Sequence, residues 1–225
     1  LRNNSSAFEH SVIGDDTVVK DNAIIKPDIK IWPSKTIDMG TEVNSNLIWG
    51  SKFTRSVFGN RGIAGEINVD ITPEYASKLG AAYGATFKGK AKIGVSCDDS
   101  ISAEMLKISF IAGLLSAGIE VYDFKKMLLP ITRSATRFYK MNGGIHISTS
   151  RDDAKRLSID FLDKDGSNID RGLERKIENF FIREDFSRCE GENIKNIKTI
   201  SDYGDFYIRN IVNNVKGETL NYKIV

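Results

Sequence analysis

A chain of 225 residues fits one or two domains, and 40% hydrophobic with 28% charged residues is the composition of a globular protein. The 32 Lys and Arg against 30 Asp and Glu leave a net charge of +2, which argues against a general nucleic-acid binder. Two dispersed cysteines, Cys97 and Cys189, exclude a disulfide framework and favour a reducing, cytoplasmic setting; no apolar run approaches the roughly 18 residues of a membrane span, so no membrane partner is expected.

The chain starts at Leu1 rather than at methionine, and residues Asn221 to Val225 read as the start of a strand. Both features suggest a piece of a longer protein. Near the N-terminus, stepping by six from Ile13 meets Val19, Ile25, Ile31, Ile37 and Val43, all β-branched aliphatics. Four residues further on, Thr17, Ala23, Ile29, Thr41 and Leu47 are small or aliphatic, with Lys35 the exception. A period of six suits neither a helix nor an isolated strand. It suits a three-sided β-helix, in which one aliphatic per short face points inward and stacks on the next coil. Trp32 and Trp49 in this stretch read as packing caps or oligomer contacts.

After Gly50 the pattern changes to alternating strands and helices. Thr72-Pro73-Glu74 starts a helix to about Phe87 with Ala76, Leu79 and Tyr83 on one face. Ala91–Ser96 reads as a strand. A helix over about Ser102–Ala117 is expected to turn Met105, Ile108, Ile111 or Ala112, and Leu115 inward, with Gly118 as its stop. Ile119–Phe124 is the next strand, and Pro130 opens a helix to about Met141. Gly144–Ser148 and Leu157–Leu162 are strands, and Asp163-Lys164-Asp165-Gly166 carries a D-G turn signal. Asp170 caps a helix to about Glu184. This order predicts βαβ units on a mainly parallel sheet, with any ligand at the carboxyl ends of its strands. His146 in GGIHIS reads as a packed core histidine, and two histidines with two separate cysteines give no zinc spacing.

Two resemblances sit on these residues. The six-residue repeat looks like the left-handed β-helix that follows the catalytic domain of sugar-nucleotide pyrophosphorylases, and NLIWGSKF leads from it into the second unit. The stretches FGNRGIAGEIN, ITPEYASKLGAAYG, AKIGVSCDDSISAEMLK, IAGLLSAGIEVYDF and GGIHISTSRDDAKRLSIDFLDKDG together resemble the first domain of the α-D-phosphohexomutases, the phosphomannomutases and phosphoglucomutases. The implied fold class is α/β, a short hexapeptide-repeat β-helix at 1–52 followed by a mutase-like domain at 53–190. Residues 191–225 are similar to that family's linker helix and the first strand of its second domain.

The resemblance also implies a chemistry. Phosphohexomutases move a phosphoryl group between C1 and C6 of a sugar through a phosphoserine, with Mg2+ in the full-length protein. The family's serine loop T-A-S-H-N-P becomes Ser148-Thr149-Ser150-Arg151-Asp152-Asp153 here, which puts Ser150 at the phosphoserine position. The lysine of N-G-x-K-F corresponds to Asp160. F-G-T-x-G-x-R-G becomes Phe58-Gly59-Asn60-Arg61-Gly62-Ile63-Ala64-Gly65, its arginine replaced by Ala64. G-R-D-T-R becomes Ser96-Cys97-Asp98-Asp99-Ser100, where Asp98 alone keeps its type. Arg151 and Arg61 are the remaining candidate cations for a sugar phosphate, and Asp98 and Asp152 the candidate metal ligands. Acids beside Ser150 disfavour a phosphoserine electrostatically. The expectation is therefore a non-catalytic binding or assembly module. Its parent makes a nucleotide sugar from a sugar phosphate and a nucleotide, with mannose-1-phosphate guanylyltransferase fused to a mutase-like region as the candidate type. The β-helix is expected to drive homo-oligomerisation. The alternative is an active mutase using Ser150.

Overall fold

The computed structural model describes residues 1–47, the backbone of 52–53, and residues 57–59, 62–87, 91–186 and 188–214. Trp49, Asn60, Arg61 and the strand expected at Asn221–Val225 lie outside the described residues.

The repeat folds as a series of two-residue strands: β1 (Ser6–Ala7), β2 (Val12–Ile13), β3 (Val18–Val19), β4 (Ile24–Ile25), β5 (Lys30–Ile31), β6 (Thr36–Ile37), β7 (Glu42–Val43) and β8 (Lys52–Phe53). Three hexads return the chain to the same face, so Ser6 pairs with Ile24, Val12 with Lys30 and Val18 with Thr36, all in parallel. Three small sheets result, β1-β4-β7, β2-β5 and β3-β6-β8. Val19, Ile25, Ile31, Ile37 and Val43 fill the interior with Ala23, Ile29 and Leu47, and Ile13 is partly buried against them. The chain turns between strands at residues in the left-handed region: Asn4, His10, Asp16, Asn22, Asp28 and Ser34, with φ between 54° and 62°. Gly40 takes the seventh such position at 65°. Small polar residues and glycine tolerate this conformation best, so the inward aliphatic period is accompanied by a second six-residue period of corner residues. Trp32 is 54% exposed, so it does not cap the interior of this chain.

The second unit is a three-layer arrangement around a six-stranded sheet ordered β14-β11-β10-β12-β13-β9. Its strands are β9 (Ile63–Glu66), β10 (Lys92–Cys97), β11 (Glu120–Lys126), β12 (Gly143–Thr149), β13 (Arg156–Leu162) and β14 (Lys198–Thr199). Its helices are α1 (Pro73–Ala85), α2 (Ile101–Ser116), α3 (Leu129–Phe138), α4 (Arg171–Arg183) and α5 (Tyr203–Asn214). The pairs from β14 to β12 are parallel, and β13 and β9 continue the sheet antiparallel. Helix α1 packs on α2 and α4, and α3 packs on α5.

The caps form as the side chains dictate. Thr72 Oγ1 accepts from the Tyr75 amide, Ser100 Oγ from Ala103 and Asp170 Oδ1 from Leu173. Gly118 ends α2 at φ 78°.

One expectation about α2 is corrected. Its buried face is Ala103, Leu106, Lys107, Phe110, Ile111, Gly113 and Leu114. Ile108 is 62% exposed, and Met105 and Leu115 are only half-buried. The helix is apolar on most sides, so periodicity alone does not set its phase. A close crossing sets it: a Cβ on Gly113 would lie 2.0 Å from the Ser77 carbonyl oxygen, and one on Gly80 2.3 Å from that of Phe110. Two edge strands carry no strong sequence signal. β9 buries only Ile63 and Gly65, and β14 has two residues.

Candidate functional site

The parallel strands β10 and β12 lie side by side, and their carboxyl ends bring two loops together. Loop 98–100 leads into α2, and loop 150–155 joins β12 to β13. Within the second loop the Ser150 amide donates to the Arg156 carbonyl at 2.8 Å, which closes the turn. Ser150 is half-buried, and its Oγ accepts from the Asp152 amide at 3.3 Å. Arg151, Asp152 and Asp153 are exposed. Asp153 shapes the turn: its Oδ1 accepts from the Lys155 amide at 2.9 Å, and its carbonyl accepts from Arg156. Lys155 and Arg156 are exposed on the same connection. Together with Arg151 they give the turn three cations against two acids, a balance that position-by-position comparison with the family loop overlooks.

Asp98 ties the two loops. Its Oδ1 accepts from the Ser100 amide at 2.9 Å and from Ser100 Oγ at 2.7 Å. Its Oδ2 accepts from the Thr149 amide at 2.6 Å. Thr149 Oγ1 donates to Ser100 Oγ at 2.6 Å, so Ser100 caps α2, holds Asp98 and receives Thr149 at once. Burial works against the charge on Asp98, yet the hydrogen bonds from Ser100 and Thr149 outweigh it and hold the carboxyl below its ordinary range. Ser100 and Thr149 were absent from the sequence candidates. The visible signal for Ser100 was its place as the N-cap of α2, two residues after Asp98.

The magnesium that the resemblance implies belongs to the full-length protein, with Asp98 and Asp152 the candidate ligands in this stretch. Both oxygens of Asp98 accept hydrogen bonds from protein donors, and Asp152 is exposed. Among the described residues no three His, Cys, Asp or Glu side chains converge in a way that would hold a metal ion. In this arrangement Asp98 serves the two loops, and the described residues gather no further carboxylates around it or around Asp152.

His146 is 2% exposed in the middle of β12. Its Nδ1 lies 2.9 Å from Ser96 Oγ and 3.4 Å from Thr132 Oγ1, and burial pushes its pKa down to about 4. It is a packed core histidine. Asp160 is buried opposite it across the β12–β13 pair. His10 is a corner residue of the coil. Gly62 sits beside the β13 backbone at φ 64°, where a Cβ would meet the Ile159 carbonyl oxygen at 2.2 Å. The Glu178 carboxylate accepts from the Val57 and Phe58 amides, and the Phe58 ring packs on Phe161 with centroids 5.0 Å apart. These contacts anchor the segment that leads to Gly59 and Gly62. A groove of about 300 Å³ lies elsewhere, between α2 and β11, lined by Ile108, Ile111, Leu115 and the buried pair Lys107–Asp123.

Residues 55–188 match the family described as phosphoglucomutase/phosphomannomutase, alpha/beta/alpha domain I. A phosphoglucomutase/phosphomannomutase of Thermococcus kodakarensis is 33% identical over 168 residues, covering 73% of this chain and 37% of that protein. A phosphoglucosamine mutase of Streptococcus thermophilus is 39% identical over 125 residues, 54% of this chain and 28% of the relative. The crystal structure of a phosphoglucomutase/phosphomannomutase family protein from Burkholderia thailandensis superposes with a TM-score of 0.64 at 18% identity, over 73% of this chain and 37% of that one. At that identity the likeness speaks for the fold. The chain spans between 28% and 37% of the length of these relatives.

Proposed function

The chain belongs to the phosphoglucomutase/phosphomannomutase family through its alpha/beta/alpha first domain, and on that premise we propose that it forms the phosphosugar-facing first domain of a hexose-phosphate mutase, with Ser150 as the phosphoryl acceptor in the full-length protein. The observation that carries this reading is the Asp98 tie, which holds Thr149 and hence Ser150 at the carboxyl ends of β10 and β12. Ligands of parallel α/β sheets bind at such ends. In the proposed cycle a phosphate on Ser150 Oγ passes to a free hydroxyl of a hexose monophosphate. The serine Oγ–P bond breaks as a sugar O–P bond forms, and the sugar's proton replaces the phosphate on the serine. The reverse step, at the other end of the bisphosphate, restores the phosphoserine. Arg151, Lys155 and Arg156 are the nearby cations that offset the acids of the turn. Intact-mass analysis of the full-length protein after incubation with a hexose bisphosphate is the test. A gain of one phosphate, lost in Ser150→Ala, is expected; no phosphate on Ser150 ends this reading.

A second reading has its own observation. The N-terminal strands recur every six residues and pair at a separation of eighteen, Ser6 with Ile24 and Ile24 with Glu42. This supports a left-handed hexapeptide β-helix of the kind that follows sugar nucleotidyltransferase domains. On this reading the α/β unit is a non-catalytic assembly module of a nucleotide-sugar-forming protein, and Val12, Val18, Ile24 and Trp32, exposed on the coil, contact a second copy. Pyrophosphate release by the full-length protein from a sugar 1-phosphate and a nucleoside triphosphate would support it. A monomeric mass in light scattering would remove the coil as an oligomer contact.

A further inference from the structure

We propose that Asp98 is the positioning residue of the Ser150 loop, fixing the serine through the Thr149 backbone rather than touching the substrate or a metal. The inference rests on the reading of Ser150 as phosphoryl acceptor.

Three observations carry it. First, the two oxygens of one carboxylate are divided between the two loops. Oδ1 serves the amide and hydroxyl of Ser100 at the start of α2, and Oδ2 serves the amide of Thr149, the residue before Ser150. Second, a hydroxyl link runs beside the carboxylate, from Thr149 Oγ1 to Ser100 Oγ, so the loops are joined by backbone and side chain together. Third, the other contacts of Ser150 are local. Its amide reaches Arg156, six residues on, and its Oγ meets the amide of Asp152, two residues on. These bonds close the turn between β12 and β13 and reach no residue of β10. Beyond the β12–β13 ladder, the Asp98 tie is what anchors this turn to the neighbouring strand end. A hydrogen bond to an ionised acceptor is roughly twice as strong as a neutral one, which suits a loop whose hydroxyl must stay on line with an incoming phosphorus.

The aspartate is not replaceable by its amide here. An asparagine at 98 would turn one oxygen into a donor, facing either the Thr149 N–H or the two donors of Ser100. Both ends of the tie cannot then be kept.

The test uses the full-length protein and three readouts. Hydrogen exchange of the Thr149 and Ser150 amides is compared in wild type, Asp98→Asn and Ser100→Ala. Asp98→Asn removes the ionised acceptor in either amide orientation and is expected to speed exchange at Thr149 by about tenfold or more, with Val95 in β10 and Leu79 in α1 unchanged. Ser100→Ala leaves the Oδ2 bond and so is expected to keep most of the Thr149 protection. The rate of phosphate uptake on Ser150 from a hexose bisphosphate should fall by about tenfold or more at saturation in Asp98→Asn, with the half-saturating concentration held within about twofold. An acid titration of the wild type needs no variant. The Thr149 amide proton and the Asp98 carboxyl carbon should shift together, distinct from His146, the buried group that feels the Asp98 charge in the acid range. Unchanged Thr149 exchange, or independent titration, overturns the inference. So does faster exchange with an unaltered uptake rate. If wild type takes up no phosphate while exchange still rises in Asp98→Asn, the phosphoryl-acceptor reading fails and the hold of Asp98 on the loop stands.

Discussion

At the scale of single residues, buried polar groups set how this chain responds to pH and to substitution. His146 stays neutral down to about pH 4 because its ring is buried against Ser96 and Thr132. In the unfolded chain it protonates near 6.5. Between those values the unfolded state binds the extra proton, so stability falls as pH drops, by about 1.4 kcal/mol per pH unit from this group. Denaturant midpoints measured at pH 7, 6 and 5 should show that slope, and His146→Asn should flatten it. The pair Lys107–Asp123 is the second case. Its side chains are 4% and 10% exposed and meet at 2.9 Å, and Lys125 also reaches Asp123. Lys107→Met removes the buried partner of a buried charge and should cost about 3 kcal/mol in urea unfolding, with part of the loss recovered in the double variant with Asp123→Asn.

Among elements, packing decided what periodicity left open. The helix caps at Thr72 and Asp170 were legible because one side chain and one amide suffice to make each, while the start of α2 fell two residues from its Ser100 cap. The inward face of α2 was not, because its Leu, Ile, Phe and Met residues fall on most sides and the glycine crossing with α1 chooses among them. That crossing predicts that Gly113→Ala, with a Cβ 2.0 Å from the Ser77 carbonyl oxygen, forces the helices apart. A loss of about 2 kcal/mol is expected from the overpacking, read as a lowered thermal midpoint. The candidate site was legible only in part for a related reason. Ser150 was named only through the resemblance of its loop to the family's serine loop, and Thr149 and Ser100 act through a backbone amide and a hydroxyl shared between loops 49 residues apart, a contact that no local pattern contains. The strands β9 and β14 were missed because each offers at most two inward positions.

On the scale of the whole molecule, the coil and the α/β unit keep separate interiors among the described residues. Val19 to Leu47 form one cluster, and Phe58 to Ile177 another. Ile31, 2% exposed inside the coil, tests that separation. Ile31→Ala should cost about 3 kcal/mol and raise hydrogen exchange across residues 12–47, with β10, β12 and β13 unchanged. Equal losses in both units would show that they unfold together. The left-handed corners carry a further consequence. They recur at every sixth residue from Asn4 to Gly40, and each face returns after eighteen. The coil therefore counts length in discrete steps. Losing or gaining a single residue would put an aliphatic at a corner and a corner residue inside. A whole hexad could be cut out with every inward position preserved, but the chain would then leave the coil from a different face, turned by a third of a revolution. Only a change of eighteen residues alters the length of the coil and still hands the chain on from the same side. The number of hexads thus sets the direction in which the chain leaves as well as the distance it has covered.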